Sequence, residues 1–158
     1  MLRSPIMIRR FRSEDTDAIA QLFHDTVHTI NARDYAPSQL AAWAPADIHF
    51  RDWGAFCRDR LTYVAEVNGA IAGFANFLPS GYLDCFYCHK DYQGQGVGRQ
   101  LYTAIEQAAR DLGGDRLFTH ASITAHPFFL RMGFSVITAQ TVTCRGETFT
   151  NYRMEKRL

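Results

Sequence analysis

The sequence predicts a single α/β domain, and three observations carry that prediction. With 158 residues, 47% of them apolar, the chain can bury one sizeable core and is too short for two. The stretch LTYVAEV, Asn68-Gly69, AIAGFANFL is a hairpin signal, because Asn-Gly supplies the positive φ angles of a tight turn. Beyond it YLDCFYCH runs into the glycine-rich DYQGQGVGRQLY, residues 91–102, and then into helical apolar spacing: a strand, a loop and a helix in succession.

The other elements follow in chain order. Ile6, Ile8 and Phe11 mark a first strand, and the acidic SEDTD opens a helix whose apolar positions are Ile19, Leu22, Phe23, Val27 and Ile30. Pro37 reads as the first-turn proline of a second helix through Trp43, which Pro45 stops, and Phe50 to Arg60 as a further short helix. Pro79-Ser80-Gly81 turns the chain out of the hairpin into YLDCFYCH. Leu101, Ile105, Ala108 and Leu112 form the apolar face of a helix ended by Gly113-Gly114. RLFTHAS is a strand, Thr124 to Met132 a helix closed by Gly133, and FSVITAQTVTC with ETFTNYRMEKRL a last pair of strands around Arg145-Gly146.

Composition narrows the function classes. The formal charge of +1 is spread along the chain, so no nucleic-acid partner is expected. No apolar run approaches the roughly 20 residues that span a bilayer, and MLRSPIMIRRF lacks a signal-peptide core. No membrane partner is expected, and the protein reads as soluble and cytoplasmic. Cys57, Cys85, Cys88 and Cys144 make no disulfide framework. Cys85 and Cys88 spell C-x-x-C, but side chains three apart on a strand point to opposite faces, so no metal is expected there. His24 and His28 are four apart on one helix without a third ligand, and read as polar-face residues.

The glycine loop is the sharpest signal. A dinucleotide fingerprint needs G-x-G-x-x-G in a βαβ unit, whereas the spacing here is G-x-G-x-G after hairpin-linked strands. A P-loop needs Gly-Lys-Ser or Gly-Lys-Thr, which the chain lacks. Between a strand end and a helix N-terminus, glycines let the backbone come close and aim unpaired N–H groups at an anion, most naturally a pyrophosphate. A ligand-free tight turn is the bland alternative.

Gln93-Gly94-Gln95-Gly96-Val97-Gly98 resembles the Q/R-x-x-G-x-G/A acetyl-CoA motif of the GNAT superfamily of N-acetyltransferases. Element order is similar from Ile6 to Leu158, SITAHPFFLRMGF resembles a second characteristic segment, and DYAPSQLAAWAP and TNYRMEKRL resemble the YafP-like bacterial branch. The resemblance implies a single GNAT domain over residues 1–158, with a mixed, largely antiparallel, seven-stranded sheet flanked by helices. It implies acetyl-CoA as cosubstrate, with the pyrophosphate on the N–H groups of Gly94 to Arg99 and added charge from Arg99. It further implies a pantetheine arm lying between the strand before the motif and the strand Leu117 to Ser122. Phe86 and Cys88 would contact that arm through their backbone, the Phe86 N–H facing the thioester carbonyl. Ser122 stands where many relatives have an asparagine that bonds the arm.

Acyl transfer from such a thioester proceeds by direct attack of an amine, with a backbone donor for the oxyanion. An amine of pKa near roughly 10 must first lose a proton. Asp84 is the candidate base, directly or through water, because it shares strand parity with Tyr82 and Phe86; Glu66 is a weaker rival. Phe129 occupies the position where many relatives carry a tyrosine acid, so Tyr152 and Tyr87 are the substitutes, unless the thiolate leaves unassisted. Phe129 would then pack beside the pantetheine end. Tyr35, Trp43 and Trp53 suit an acceptor pocket, and His120 is the histidine placed to see substrate. No acidic or basic cluster selects a charged acceptor. The expected function is acetyl transfer to a primary amine of a small molecule or peptide; the alternative is a non-catalytic acyl-CoA sensor. Oligomeric state stays open, with a homodimer among the options.

Overall fold

The computed structural model describes residues 4–158, so the first three residues of MLRSPIMIRRF lie outside the described residues. Seven strands form one sheet in the spatial order β1 (Ile6–Arg10), β2 (Leu61–Val67), β3 (Ala70–Phe77), β4 (Tyr82–Cys88), β5 (Arg116–Ser122), β7 (Glu147–Arg157), β6 (Ser135–Cys144). All neighbours are antiparallel except β4 and β5. Those two are parallel because helix α4 (Val97–Asp111) carries the chain from one to the other. The sheet is therefore mixed and largely antiparallel, as the sequence predicts.

Helices α1 (Thr16–Thr29), α2 (Pro37–Trp43) and α3 (Trp53–Arg58) cover the front of the sheet. There Ile19, Phe23, Val27 and Trp53 pack on Val64 and Phe74. Helices α4 and α5 (His126–Arg131) cover the back, where Tyr102, Ile105 and Phe129 pack on Phe77, Leu83 and Leu117. Gly73 on β3 lets α4 settle so closely. A Cβ there would stand 2.9 Å from the side chains of both Val97 and Leu101.

Some elements differ from expectation for local reasons. Helix α3 is shorter than Phe50 to Arg60 because Asp52 caps it, accepting from the Ala55 N–H at 3.1 Å. Helix α5 begins at His126 rather than Thr124, since the Ser122 hydroxyl accepts from the Ala125 N–H at 3.0 Å and holds the preceding residues in a turn. His24 and His28 are half-buried rather than on a polar face: their rings lie 4.4 Å apart, and His28 Nε2 bonds the Ala44 carbonyl at 2.7 Å. Trp53 is 1% exposed and its indole donates to the Ile48 carbonyl, so it is core and not pocket lining.

The acidic start of the first helix is also used differently. Asp15 closes a 3-10 turn and is buried, taking two hydrogen bonds of 2.8 Å from the Arg9 guanidinium and one from the Arg12 N–H. Glu66 accepts from the same guanidinium at 2.8 Å, so this rival for the base is an ion-pair partner instead. Burial pushes the Asp15 carboxyl up, but the bonds from Arg9 and Arg12 outweigh it and leave the group below its ordinary value. Glu106 is lowered likewise, burial being outweighed by Lys156 and Tyr102.

Carboxyls depressed in the native state stabilise it above their unfolded values, and that contribution is lost as the pH falls below about 4 through the lower native values. Replacing Asp15 by Asn leaves the half-buried Arg9 with Glu66 as its one carboxylate partner and removes the charge from a buried bidentate pair. The expected cost is about 3 kcal/mol at neutral pH, read as a lower denaturant midpoint. The gap between wild type and Asp15→Asn is expected to narrow on acidification; a constant gap down to about pH 2.5 contradicts this.

Candidate active site

The site begins where two strands part. β4 and β5 pair only at Tyr82 with Phe118 and Leu83 with Thr119; beyond these positions no ladder joins them. The parting coincides with a β-bulge, since Leu83 lies opposite Phe77 and Cys85 opposite Asn76, leaving Asp84 as the extra residue. The buried Asn76 side chain takes the Cys85 N–H at 3.0 Å where the ladder is broken. The Cys85 and His89 N–H groups both face β3, so by strand alternation the N–H groups of Phe86 and Cys88 turn toward the gap. The Cys88 carbonyl already accepts from Thr26 at 3.1 Å and from Gln93 at 2.8 Å.

The bulge also corrects the parity assumed for Asp84 and Phe86. Phe86 packs against Phe128 and Phe129 of α5 on the back, with ring centroids 5.0 and 5.6 Å away. Asp84 turns to the front, where its Oδ2 accepts from Arg60 Nε at 2.9 Å. One extra residue puts them on opposite faces, because the side-chain period of a strand is two.

At the open end of the gap stands the glycine turn. Gly94 and Gly96 have φ of 71° and 89°, and an added Cβ at either meets nothing within 4 Å, so the space beside the backbone is open. The N–H groups of Val97, Gly98 and Arg99 belong to a first helical turn and have no helical acceptor. Val97 is buried and anchors the helix, while Arg99 is exposed beside the turn. Gln93 and Gln95 brace the loop through Cys88 and Asp91 carbonyls, the Gln95 bond being 3.4 Å.

Gap and turn form parts of one cleft of about 940 Å³, which takes in Asp84, Phe86, Cys88, Ser122 and Phe129. It also takes in Tyr35, Trp43 and His120, the three expected acceptor residues. The Tyr35 hydroxyl is fully engaged, donating to the Thr150 carbonyl at 2.8 Å and accepting from the Ile123 N–H at 3.0 Å, so only its ring faces the cleft. The Ser122 hydroxyl accepts from the Ala125 N–H and keeps its own proton to donate. Burial and then Arg153 push the His120 pKa down against the pull of Asp84, which favours a neutral imidazole. Burial and then the Asp84 charge push the Tyr82 phenol up to about 12. The Cys88 thiol is pushed by burial up to about 12 and is no nucleophile at neutral pH.

The two tyrosines considered as acids part company. Tyr152 is not among the residues lining the cleft and stacks on His126 at 4.5 Å in the back cluster. Tyr87 lines the front of the cleft, stacked on Phe74 at 5.7 Å, and burial raises its phenol. Phe129 is buried between Phe86 and Phe134. Sequence reasoning missed Arg60, Asn76 and Thr26, which lie far along the chain from the groups they hold; no local pattern marks them. Together the parts offer a glycine turn with unpaired N–H groups, free backbone donors in the gap, and a carboxylate beside an imidazole on the front.

Comparison with known proteins bears on this arrangement. The family described as an acetyltransferase (GNAT) domain matches residues 31–156. The N-acetyltransferase YafP of Escherichia coli (strain K12) is 32% identical over 149 residues, covering 94% of each chain. A GCN5-related N-acetyltransferase from Rhodopseudomonas palustris superposes with a TM-score of 0.92 at 32% identity, covering 100% of this chain and 99% of that one. YncA from Salmonella typhimurium, solved with acetyl-CoA, has a TM-score of 0.69 at 21% identity and shares the fold over 98% of this chain and 95% of its own. The match over most of the chain and the YafP identity decide the assignment: this is a GNAT-superfamily N-acetyltransferase of the YafP-like branch.

Proposed function

We propose that the chain moves an acetyl group from acetyl-CoA to a primary amine of a small molecule or peptide, by direct attack of the amine on the thioester. The observation that carries this reading is the gap between β4 and β5, which ends at a glycine turn with free N–H groups. Coenzyme A fits that shape: a diphosphate suits the turn, and an amide-bearing arm suits two strand edges left unpaired. The acetyl-CoA held by YncA, a protein of the same fold, supports the choice.

In this reading the N–H groups from Gly94 to Arg99 bind the diphosphate, with the Arg99 side chain beside them. The Phe86 N–H donates to the thioester oxygen as negative charge builds there. Phe86, Phe128 and Phe129 close the back of the gap, so the amine arrives from the front. Asp84 takes its proton, directly or through water, with Arg60 fixing the carboxylate and His120 alongside. The C–N bond forms first, giving the oxyanion; its collapse breaks the C–S bond, and the second amine proton passes to the departing sulfur or to water, so a thiolate of thiol pKa near roughly 8.5 needs no enzymic acid.

Two variants separate binding from chemistry. Asp84→Asn is expected to lower kcat by about 100-fold or more with coenzyme A affinity unchanged, read as thiol release across a panel of amines; undiminished turnover removes Asp84 from the mechanism. Gly96→Val places a side chain in the open space at positive φ, and calorimetry is expected to show coenzyme A binding weakened by about tenfold or more while the fold persists. Unchanged affinity would place the diphosphate elsewhere.

A further inference from the structure

Granting the acetyl transfer proposed above, we infer that the acceptor is an amine carrying a second, anionic group, a carboxylate or a phosphate, which docks on a ladder of arginines and aromatic rings at the front rim of the cleft. The ladder runs from the β6–β7 turn to the bulge in β4. Arg145 lies 4.9 Å over the Phe50 ring, and Arg51 lies over Phe50, Trp53 and Phe56 at 5.5, 4.9 and 4.1 Å. Arg60 lies 3.7 Å over the Phe56 ring.

Both ends of the ladder touch the cleft wall. Arg60 donates to the cleft residue Asp84, and Arg145 donates to the Ala42 carbonyl at 2.8 Å, next to Trp43, and to the sulfur of the cleft residue Cys144 at 3.2 Å. Between them, Arg51 is close enough for its charge to bear on Cys85 and Tyr87 of β4.

The charge is unbalanced. Among the described residues Asp84 pairs with Arg60, while Arg51 and Arg145 have no carboxylate partner. Arg51 is half-buried on its rings, has lost much of its water and gains from a counter-ion, while Arg145 is exposed at the outer end of the ladder. Stacking leaves the Arg51 N–H edge for a forked bond to a planar carboxylate or a phosphate, and Arg145, whose Nη1 is held by Ala42 and Cys144, adds its remaining donors. Amine and anion would then be read at two places, the amine at Asp84 and the anion at Arg51 and Arg145. The expectation of no basic cluster fails because these arginines, far apart in sequence, are gathered by folding.

Two pairs of amines differing by one anionic group serve as probes: phenylalanine against phenylalaninamide, and phosphoethanolamine against ethanolamine. Binding to the full chain saturated with coenzyme A is followed by calorimetry near about pH 6, where all the amino groups are protonated. The anionic member is expected to bind roughly fivefold tighter or more in at least one pair, and the responding pair names the anion. Arg51→Gln and Arg145→Gln are expected to erase that preference without changing affinity for the neutral member, and Arg51→Lys to keep part of it. Equal binding within both pairs overturns the inference, as do losses that fall equally on charged and neutral probes, which leave the ladder as packing between α3 and the β6–β7 turn. Thiol release from acetyl-CoA, measured in parallel with a broader amine panel, tests the transfer reading separately, since the binding preference is decided with or without turnover.

Discussion

The site depends on one broken ladder. Parallel strands joined by a crossover helix ordinarily pair along their length, and here β4 and β5 pair for two residues and then separate. The extra residue at Asp84 imposes the separation, and the buried Asn76 makes it tolerable by satisfying the Cys85 N–H that β3's backbone no longer reaches. From that local irregularity come free backbone donors in the gap, a carboxylate turned to the front, and a phenylalanine turned to the back. A regular strand would deliver none of the three.

The surrounding structure divides labour between the faces. The back is aromatic and dry, with Phe86, Phe128, Phe129 and Phe134 in mutual contact. The front is polar and charged, with Asp84, Arg60 and His120 grouped near the parting. In the proposed reaction, a thioester held between them would present its carbonyl carbon to the amine from the polar front, with the aromatic wall opposite limiting the approach of water.

What could be read from the sequence followed local chemistry. Asn68-Gly69 announces its hairpin, Pro37 starts its helix, and the run from Gln93 to Arg99 is legible as a glycine turn between strand and helix because both its cause and its effect lie within a few residues. The candidate cleft residues on β4 and β5 were legible for the same reason, through their resemblance to a known motif. The side to which Asp84 points was not, since a bulge is set by how β3 pairs with β4 and leaves no trace in YLDCFYC. The face taken by Tyr152 was not legible either, because an aromatic residue on a strand reads alike whichever way it points. Arg51, Arg60 and Arg145 were invisible as a group because stacking on Phe50 and Phe56 is a tertiary event.

One phenol ties the two halves of the cleft together. Tyr35 spends its single proton on β7 and its lone pair on the turn after β5, so the cleft wall it lines and the end of β5 share a rivet. Any remodelling of that wall that sacrificed this hydroxyl would slacken the end of β5 as well. Within the proposed acceptor wall, selectivity is therefore freer to drift at the exposed His120 than at this tyrosine.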